Sequence, residues 1–415
     1  MFGRIIAISV MSLAVLIPVS VTTASEAVLF EAATNNHLHG SPRSVCAGDF
    51  DGNGHLDVAA ALYMSAEVSI LLANGDGTFA PEVCYSLDST PWEICSGDFD
   101  GDGYIDLATS NNSGLRVLLG VGDGTFLPPL NIWASVNNTS ICVGDFNEDG
   151  HIDLAATSWT GNKVSVCLGD GDGTFAPPLF LGTHDGPRSI CADDFDGDGH
   201  LDVAAANQFS NDVSILIGNG DGTFDPAVHY GVAGAPVSVC SSDFDMDGHV
   251  DLATANMDGG SAAILFGNGD GAFSSPVYYS QFEKPQMIRT GDIDKDGYSD
   301  LVVADSWNDI VCVMLNNGDG TFSTTAIYGA YFYPLGLCLA DFDRDLYLDM
   351  AVTVVSNEVS NNVMIFIGKR DGTFVDAPEY DVGMKPEGVC SYDFNGDGFT
   401  DLAVANEYSD DVSIL

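Results

Sequence analysis

Asp49-Phe-Asp51-Gly-Asn53-Gly-His-Leu-Asp57 sets oxygen donors at positions one, three, five and nine of a nine-residue phrase, and the phrase returns seven more times. The later copies begin at Asp98, Asp145, Asp194, Asp243, Asp292, Asp341 and Asp393, in steps of 49, 47, 49, 49, 49, 49 and 52 residues. Carboxylate and amide oxygens at this density suit a cation. Gly at position six allows a sharp turn that points the carbonyl of position seven inward. Such a crowded oxygen shell fits Ca²⁺ better than Mg²⁺, and the absence of His and Cys from the donor positions argues against zinc or copper. These donors hold close to half of the 60 acidic residues, which would repel one another strongly at short range without cations.

The first six positions also match an EF-hand loop, which needs a bidentate Glu at position twelve between two helices. Position twelve is instead Ala60, Thr109, Ala156, Ala205, Thr254, Val303, Val352 and Val404 in turn. Position nine opens β-rich runs such as Asp401-Leu-Ala-Val-Ala. The phrase therefore reads as a strand-to-strand calcium hairpin.

The elements that hold it are legible in the unit from Pro187 to Phe224. Short apolar runs, Leu201-Asp-Val-Ala-Ala-Ala and Val213-Ser-Ile-Leu-Ile among them, alternate with Gly, Asn and Asp turns, and a further run, Pro226-Ala-Val-His-Tyr, follows. Four strands in about 49 residues, with connections too short for helices, predict an antiparallel meander. A proline seven residues before each phrase, replaced only by Asn138, marks the start of the first strand, where a missing N–H costs no ladder bond. A Gly-Asp-Gly turn is equally periodic, and the Phe after it (Phe79, Phe126, Phe175, Phe224, Phe273, Phe322, Phe374) is a core candidate.

Repeated four-stranded meanders predict an all-β fold, a β-propeller with one blade per unit. The last copy stops after its third strand at Leu415, while Val28-Leu-Phe30-Glu-Ala-Ala resembles a fourth strand without its first three. Joining the two closes an eight-bladed ring, with seven blades as the alternative.

Residues 1–24 read as a secretory signal, with Arg4, the apolar stretch Ile5 to Val19 broken by Pro18, and the exit Thr22-Thr23-Ala24; an uncleaved anchor is the alternative. Residues 25–415 form the propeller. With 12 Lys and Arg against a formal net charge of -48, the chain is a poor match for nucleic acid and for anionic membranes as partners. Seven of the ten cysteines sit three residues before a phrase, with Arg289 in the sixth copy. Equivalent places in different repeats lie too far apart for sulfur bridges, so these thiols are expected as small buried packing groups.

On these residues the units resemble the FG-GAP and VCBS repeats, the calcium-blade family found in the head propeller of integrin α chains. The resemblance covers residues 28–415. It implies full ligand sets at Asp98, Asp100, Asp102 and Asp106; Asp194, Asp196, Asp198 and Asp202; Asp243, Asp245, Asp247 and Asp251; and Asp292, Asp294, Asp296 and Asp300. Asn stands for one Asp in the sets Asp49, Asp51, Asn53, Asp57; Asp145, Asn147, Asp149, Asp153; and Asp393, Asn395, Asp397, Asp401. In the set Asp341, Asp343, Asp345, Asp349, Leu346 replaces the turn Gly and puts the seventh of up to eight calcium sites in question.

In a meander, the acidic loops and the Gly-Asp-Gly turns share one face. The opposite face then receives Trp92, Trp133, Trp159, Phe209, Trp307, Tyr331, Tyr333 and Tyr408, candidate platforms for a sugar ring or a protein side chain. Propellers similar to this one are commonly adhesion or carbohydrate-recognition modules, so a secreted or cell-surface protein binding an extracellular glycan or protein is expected. The alternative is a polysaccharide lyase, for which Arg43, Arg188, Lys284, Lys385, His37, His39 and His184 supply charge and bases.

Overall fold

The computed structural model describes residues 30–330, 333–355 and 362–415. The expected secretory signal lies outside the described residues, as do Val28, Leu29 and Tyr331. The described chain folds into eight four-stranded antiparallel sheets, arranged as the blades of an eight-bladed β-propeller. Blade one carries the first acidic loop and the others follow in chain order.

Blade four is typical, with an inner strand Pro187–Asp193, a second strand Asp202–Asn207, a third strand Asp212–Leu216 and an outer strand Val228–Gly231. The second strand is DVAAAN, buried along its whole length. Neighbouring blades cover both its faces, so small and β-branched residues replace the usual alternation of polar and apolar. The outer strand is the most accessible of the four, with Val228 and Gly231 exposed and His229 and Tyr230 part-buried.

Blade eight joins the two ends of the chain. Its first three strands are Pro386–Tyr392, Asp401–Asn406 and Asp411–Ile414, and the fourth is Thr34–His37, paired from Thr34↔Ile414 to His37↔Asp411. Closure is as expected, but its segment is not: the strand lies beyond the apolar run read from Val28 to Ala33. Phe30 instead takes the place of the phenylalanine after a Gly-Asp-Gly turn, four residues before the outer strand, as Phe79 stands four residues before the strand Val83–Ser86. The apolar run resembles a strand because it is hydrophobic. The strand itself, TNNH, is mostly exposed and carries no such signal.

The core lies between blades. The residue at position two of each acidic loop is buried: Phe50, Phe99, Phe146, Phe195, Phe244, Ile293, Phe342 and Phe394. Where that residue is phenylalanine, its ring meets the turn phenylalanine of the next blade, as in Phe50–Phe126 at 5.4 Å and Phe195–Phe273 at 5.7 Å between centroids. The same contact closes the ring at Phe342–Phe30 (5.6 Å) and Phe394–Phe79 (6.2 Å). Edge-on aromatic pairs of this kind add to the area they bury.

Each inner strand has a free edge toward the channel, and the preceding blade helps to satisfy it. Ile94 N–H donates to Ser44 Oγ (3.3 Å), Ile141 N–H to Glu93 Oε2 (2.9 Å) and Val239 N–H to Ser189 Oγ (3.3 Å). None of the ten cysteines, all among the described residues, is in a disulfide, and all but Cys84 are buried.

Candidate metal centres and the opposite face

Position nine anchors each acidic loop. Asp57 is buried; its Oδ2 accepts the N–H of Phe50 at 2.8 Å and its Oδ1 the N–H of Ala73 at 2.7 Å, beyond the third strand. Asp106, Asp153, Asp202, Asp251, Asp300 and Asp349 repeat both bonds, and Asp401 repeats the first. Position nine thus clamps two connections of one blade together. Burial above all pushes Asp57 and Asp106 up to about 6, and Asp153, Asp202, Asp251, Asp300, Asp349 and Asp401 to about 7; the backbone donors oppose this, and nearby loop carboxylates add to it.

Position one accepts the N–H of position six through Oδ2, as Asp98 does from Gly103 at 3.1 Å and Asp243 from Gly248 at 2.9 Å. Position three accepts the N–H of position five, and position five that of position seven, as Asp100 and Asp102 do at 3.1 and 2.8 Å. In the first, second and fourth loops, the acids at positions one, three and nine offer oxygens that all lie within 4.8 Å of one another. Such clusters could hold a metal ion. Position five stands outside those trios, its oxygen turned to the backbone of position seven.

The fit of a hard cation rests on more than convergence. Asp243 Oδ1 and Asp292 Oδ1 are buried without a hydrogen-bond partner, a costly state for a carboxylate oxygen. Asp100, Asp196, Asp245 and Asp294, at position three, are raised above the ordinary carboxylate range, first by burial and then by their acidic neighbours against the pull of backbone donors. An all-oxygen donor set with excess negative charge matches Ca²⁺.

The seventh loop keeps the frame despite Leu346. Its N–H donates to Asp341 Oδ2 at 2.9 Å, but its φ is 77°, a left-handed conformation that a branched side chain resists. Position four is similar in a way the sequence pattern did not announce: Glu148, Met246, Lys295 and Arg344 all have positive φ there. Some of these side chains reach the following loop. Glu148 meets His200 Nδ1 at 2.6 Å, and Arg344 lies over the Phe399 ring at 4.0 Å. The Gly-Asp-Gly turn of the next blade packs on the same loops, with Gly124 N–H donating to Phe50 O at 3.0 Å. Gly124 has a φ of 81°, and a Cβ there would come 2.4 Å from Leu72 Cδ1, so the turn favours glycine.

On the opposite face, every inner strand begins with a register shift beside its proline or Asn138. A bulge re-aims the side chain it carries, and here it presents Arg43, Trp92 and Arg188. The Arg43 guanidinium stacks over Trp92 at 4.3 Å and Tyr63 at 5.3 Å, and its Nε is 3.4 Å from Glu387 Oε2. Burial first, and then the charge of Arg43, lowers the Arg188 pKa, while Glu387 and Tyr333 oppose them. The two guanidinium groups therefore feel one another. Deeper in, Glu93 and Arg289, the latter at a place where other repeats have Cys, line a cavity with Ser140 and Ser189.

The expected aromatic platform divides. Phe209, Trp307, Tyr333 and Tyr408 are exposed. Lys385 Nζ lies 4.7 Å from the centre of Tyr408 and pairs with Glu387 and Glu407. Trp159 packs against Phe209 with centroids 5.2 Å apart. Trp92 is half-buried and donates its indole N–H to Asn112 Oδ1 at 2.7 Å. Trp133 was expected on the irregular face, but it lies within the outer strand Leu130–Val136, on the rim of blade two. Alternation along that strand turns Ile132 inward and Trp133, 73% exposed, outward. Lys284 is held by Asp258 at 2.5 Å, and His37 lies 4.0 Å from Asp411.

The family model for an FG-GAP-like repeat matches residues 49–109, 98–156, 145–205, 194–254, 243–303 and 292–352, and that for an FG-GAP repeat matches residues 386–414. A search of curated protein sequences finds no match. Among solved structures, the chain is similar to Bacillus licheniformis rhamnogalacturonan lyase PL11, with 13% identity over 93% of this chain and 76% of that one and a TM-score of 0.54. It is also similar to BBS1N in complex with ARL6DN (14% identity, 92% and 96% covered, TM-score 0.53). An Agrocybe aegerita lectin that recognises non-reducing terminal N-acetylglucosamine aligns at 19% identity over 71% of this chain and 82% of its own, with a TM-score of 0.49. At such identities the likeness concerns the fold alone.

Proposed function

The chain belongs to the FG-GAP repeat family, and from that premise we propose that it is an exported calcium-binding propeller that recognises an extracellular glycan or protein. The observation that carries this reading is the division of labour between the two faces. On one face the acids are tied into blade hairpins and packed under the neighbouring blade, so bound Ca²⁺ there braces the ring. The opposite face presents Arg43, Arg188 and exposed aromatics around the channel mouth, groups suited to acidic sugars and protein side chains. Export is supported by the signal-like residues 1–24. Among the described residues, no helix is long and apolar enough to cross a membrane.

Glycan arrays probed with and without a chelator test the reading. Binding that is lost with the chelator, without change to the glycan, supports it. Retention of a protein partner from extracellular extract, in place of any glycan, places the ligand among proteins.

A second reading, a polysaccharide lyase, is favoured by the guanidinium pair, which could neutralise a uronate carboxylate. Turnover of acidic polysaccharide with new absorbance from unsaturated uronate would establish it.

A further inference from the structure

We propose that blade four carries a second kind of metal site, formed by His184, Asp212 and His229, that takes a borderline divalent cation of the zinc class. It stands apart from the acidic loops, in donors and in place. His184 lies in the connection that leads into the inner strand, Asp212 opens the third strand, and His229 sits on the outer strand opposite Ser214.

One ligand atom from each of the three lies within 4.8 Å of the other two. His184 Nδ1 is 2.5 Å from Asp212 Oδ2, and the two imidazoles stack with centroids 3.4 Å apart and planes at 15°. Two protonated rings would not share this contact. In-plane coordination needs the stack to fan open by rotation of the half-exposed His184.

The carboxylate is held from behind. Asp212 Oδ1 accepts from Asn207 Nδ2 at 2.8 Å and Ser210 Oγ at 2.9 Å, while Ser214 Oγ meets His229 Nδ1 at 2.9 Å. Supporting hydrogen bonds of this sort orient the ligands of metal sites. Two imidazoles and one carboxylate select zinc-class ions over Ca²⁺ and leave a fourth position for water or a ligand group.

Blade eight supplies an internal control. It repeats the frame with Asn406 donating to Asp411 at 2.6 Å and to Ser413 at 2.8 Å, but has Asn35 in place of His229 and Gly383 in place of His184. The histidines are therefore not required by the blade. Blade one places His39, Glu82 and Cys84 at the corresponding corner, also within 4.8 Å of one another, and would compete for the same ions.

The test is a Co²⁺ titration of the full chain with Ca²⁺ in excess, in a His39→Ala, Cys84→Ser background, read by visible absorption and equilibrium dialysis. One equivalent should bind with d–d bands, Zn²⁺ should displace it, and His184→Gly or His229→Asn should weaken binding at least about tenfold. Both substitutions copy blade eight, and thermal melts without Co²⁺ should match the parent. Zn²⁺ should also slow carbethoxylation of His184 in the unaltered protein, which needs no variant. Absence of uptake, or uptake and labelling indifferent to these changes, overturns the proposal.

Discussion

Phe30 N–H donates to Tyr380 Oη at 3.0 Å, joining the start of the described chain to blade seven. The same bond links Phe126 to Tyr85 at 3.0 Å, Phe273 to Tyr230 at 3.1 Å and Phe322 to Tyr279 at 2.9 Å. The N-terminal segment therefore supplies the eighth blade with both its turn phenylalanine and its outer strand. The ring is sealed by the ordinary blade-to-blade contact.

Breaking that contact should open the ring at one place. Tyr380→Phe removes the acceptor and should cost about 1 kcal/mol. Phe30→Ala leaves the backbone donor in place but removes the edge-on packing with Phe342 and Tyr380 and should cost about 2 kcal/mol or more. Thermal melts give the loss, and limited proteolysis should show cleavage near residues 30–40 before the blades are cut. Melts and cleavage equal to the parent would disprove this closure.

Leu346 should be a strained residue whose removal helps. It is 58% exposed and has a φ of 77°, so Leu346→Gly gives up little burial and relieves about 1 kcal/mol of backbone strain. The melting temperature should rise. The reverse change in the sixth loop, Gly297→Leu, should lower it by a similar amount.

Blade count, strand order and the acidic loops were legible because each repeat presents the same residues in the same register. What stayed hidden has specific causes. The closing strand TNNH is polar and exposed, so the apolar run before it drew the assignment. Position-two residues such as Phe50 and Phe394 escaped notice inside an acidic phrase, although they fill the space between blades. Trp92 and Arg43 stand 49 residues apart in sequence, and only the ring geometry brings them together. Trp133 looked like a loop residue because an isolated Trp gives no sign of the strand face it occupies. The histidines of blade four were visible, but no spacing rule brings residues 184, 212 and 229 to one corner.

Acid should stabilise the chelated protein. Position-nine acids are held at about 6 to 7 in the fold, mainly by burial, against about 3.9 for a free Asp. The folded state therefore binds more protons than the unfolded state between about pH 4 and 7, and stability falls as pH rises through that window. Melts of the chelated protein should drop steadily from pH 4.5 to 7 and then level. A chelated protein that gains stability across that range would contradict these shifts.

Arg43→Lys should behave as a loss rather than a conservative exchange. The Arg43 guanidinium lies over the Trp92 ring with its Cζ 4.3 Å from the centroid and also reaches Glu387, a combination an ammonium does not reproduce. Ligand affinity on a glycan array should fall about tenfold for Arg43→Lys and for Arg188→Lys. Trp133→Ala, on the rim, should leave it unchanged.

The central claim is that calcium in the acidic loops is part of the fold. Differential scanning calorimetry of the full chain at neutral pH, first stripped by chelator and then titrated with Ca²⁺, measures it most directly. The account predicts a melting temperature that climbs with Ca²⁺ concentration, as mass action requires of a ligand bound only by the folded state, and a much smaller rise with Mg²⁺. A melting temperature that is the same in chelator and in saturating Ca²⁺ would contradict it.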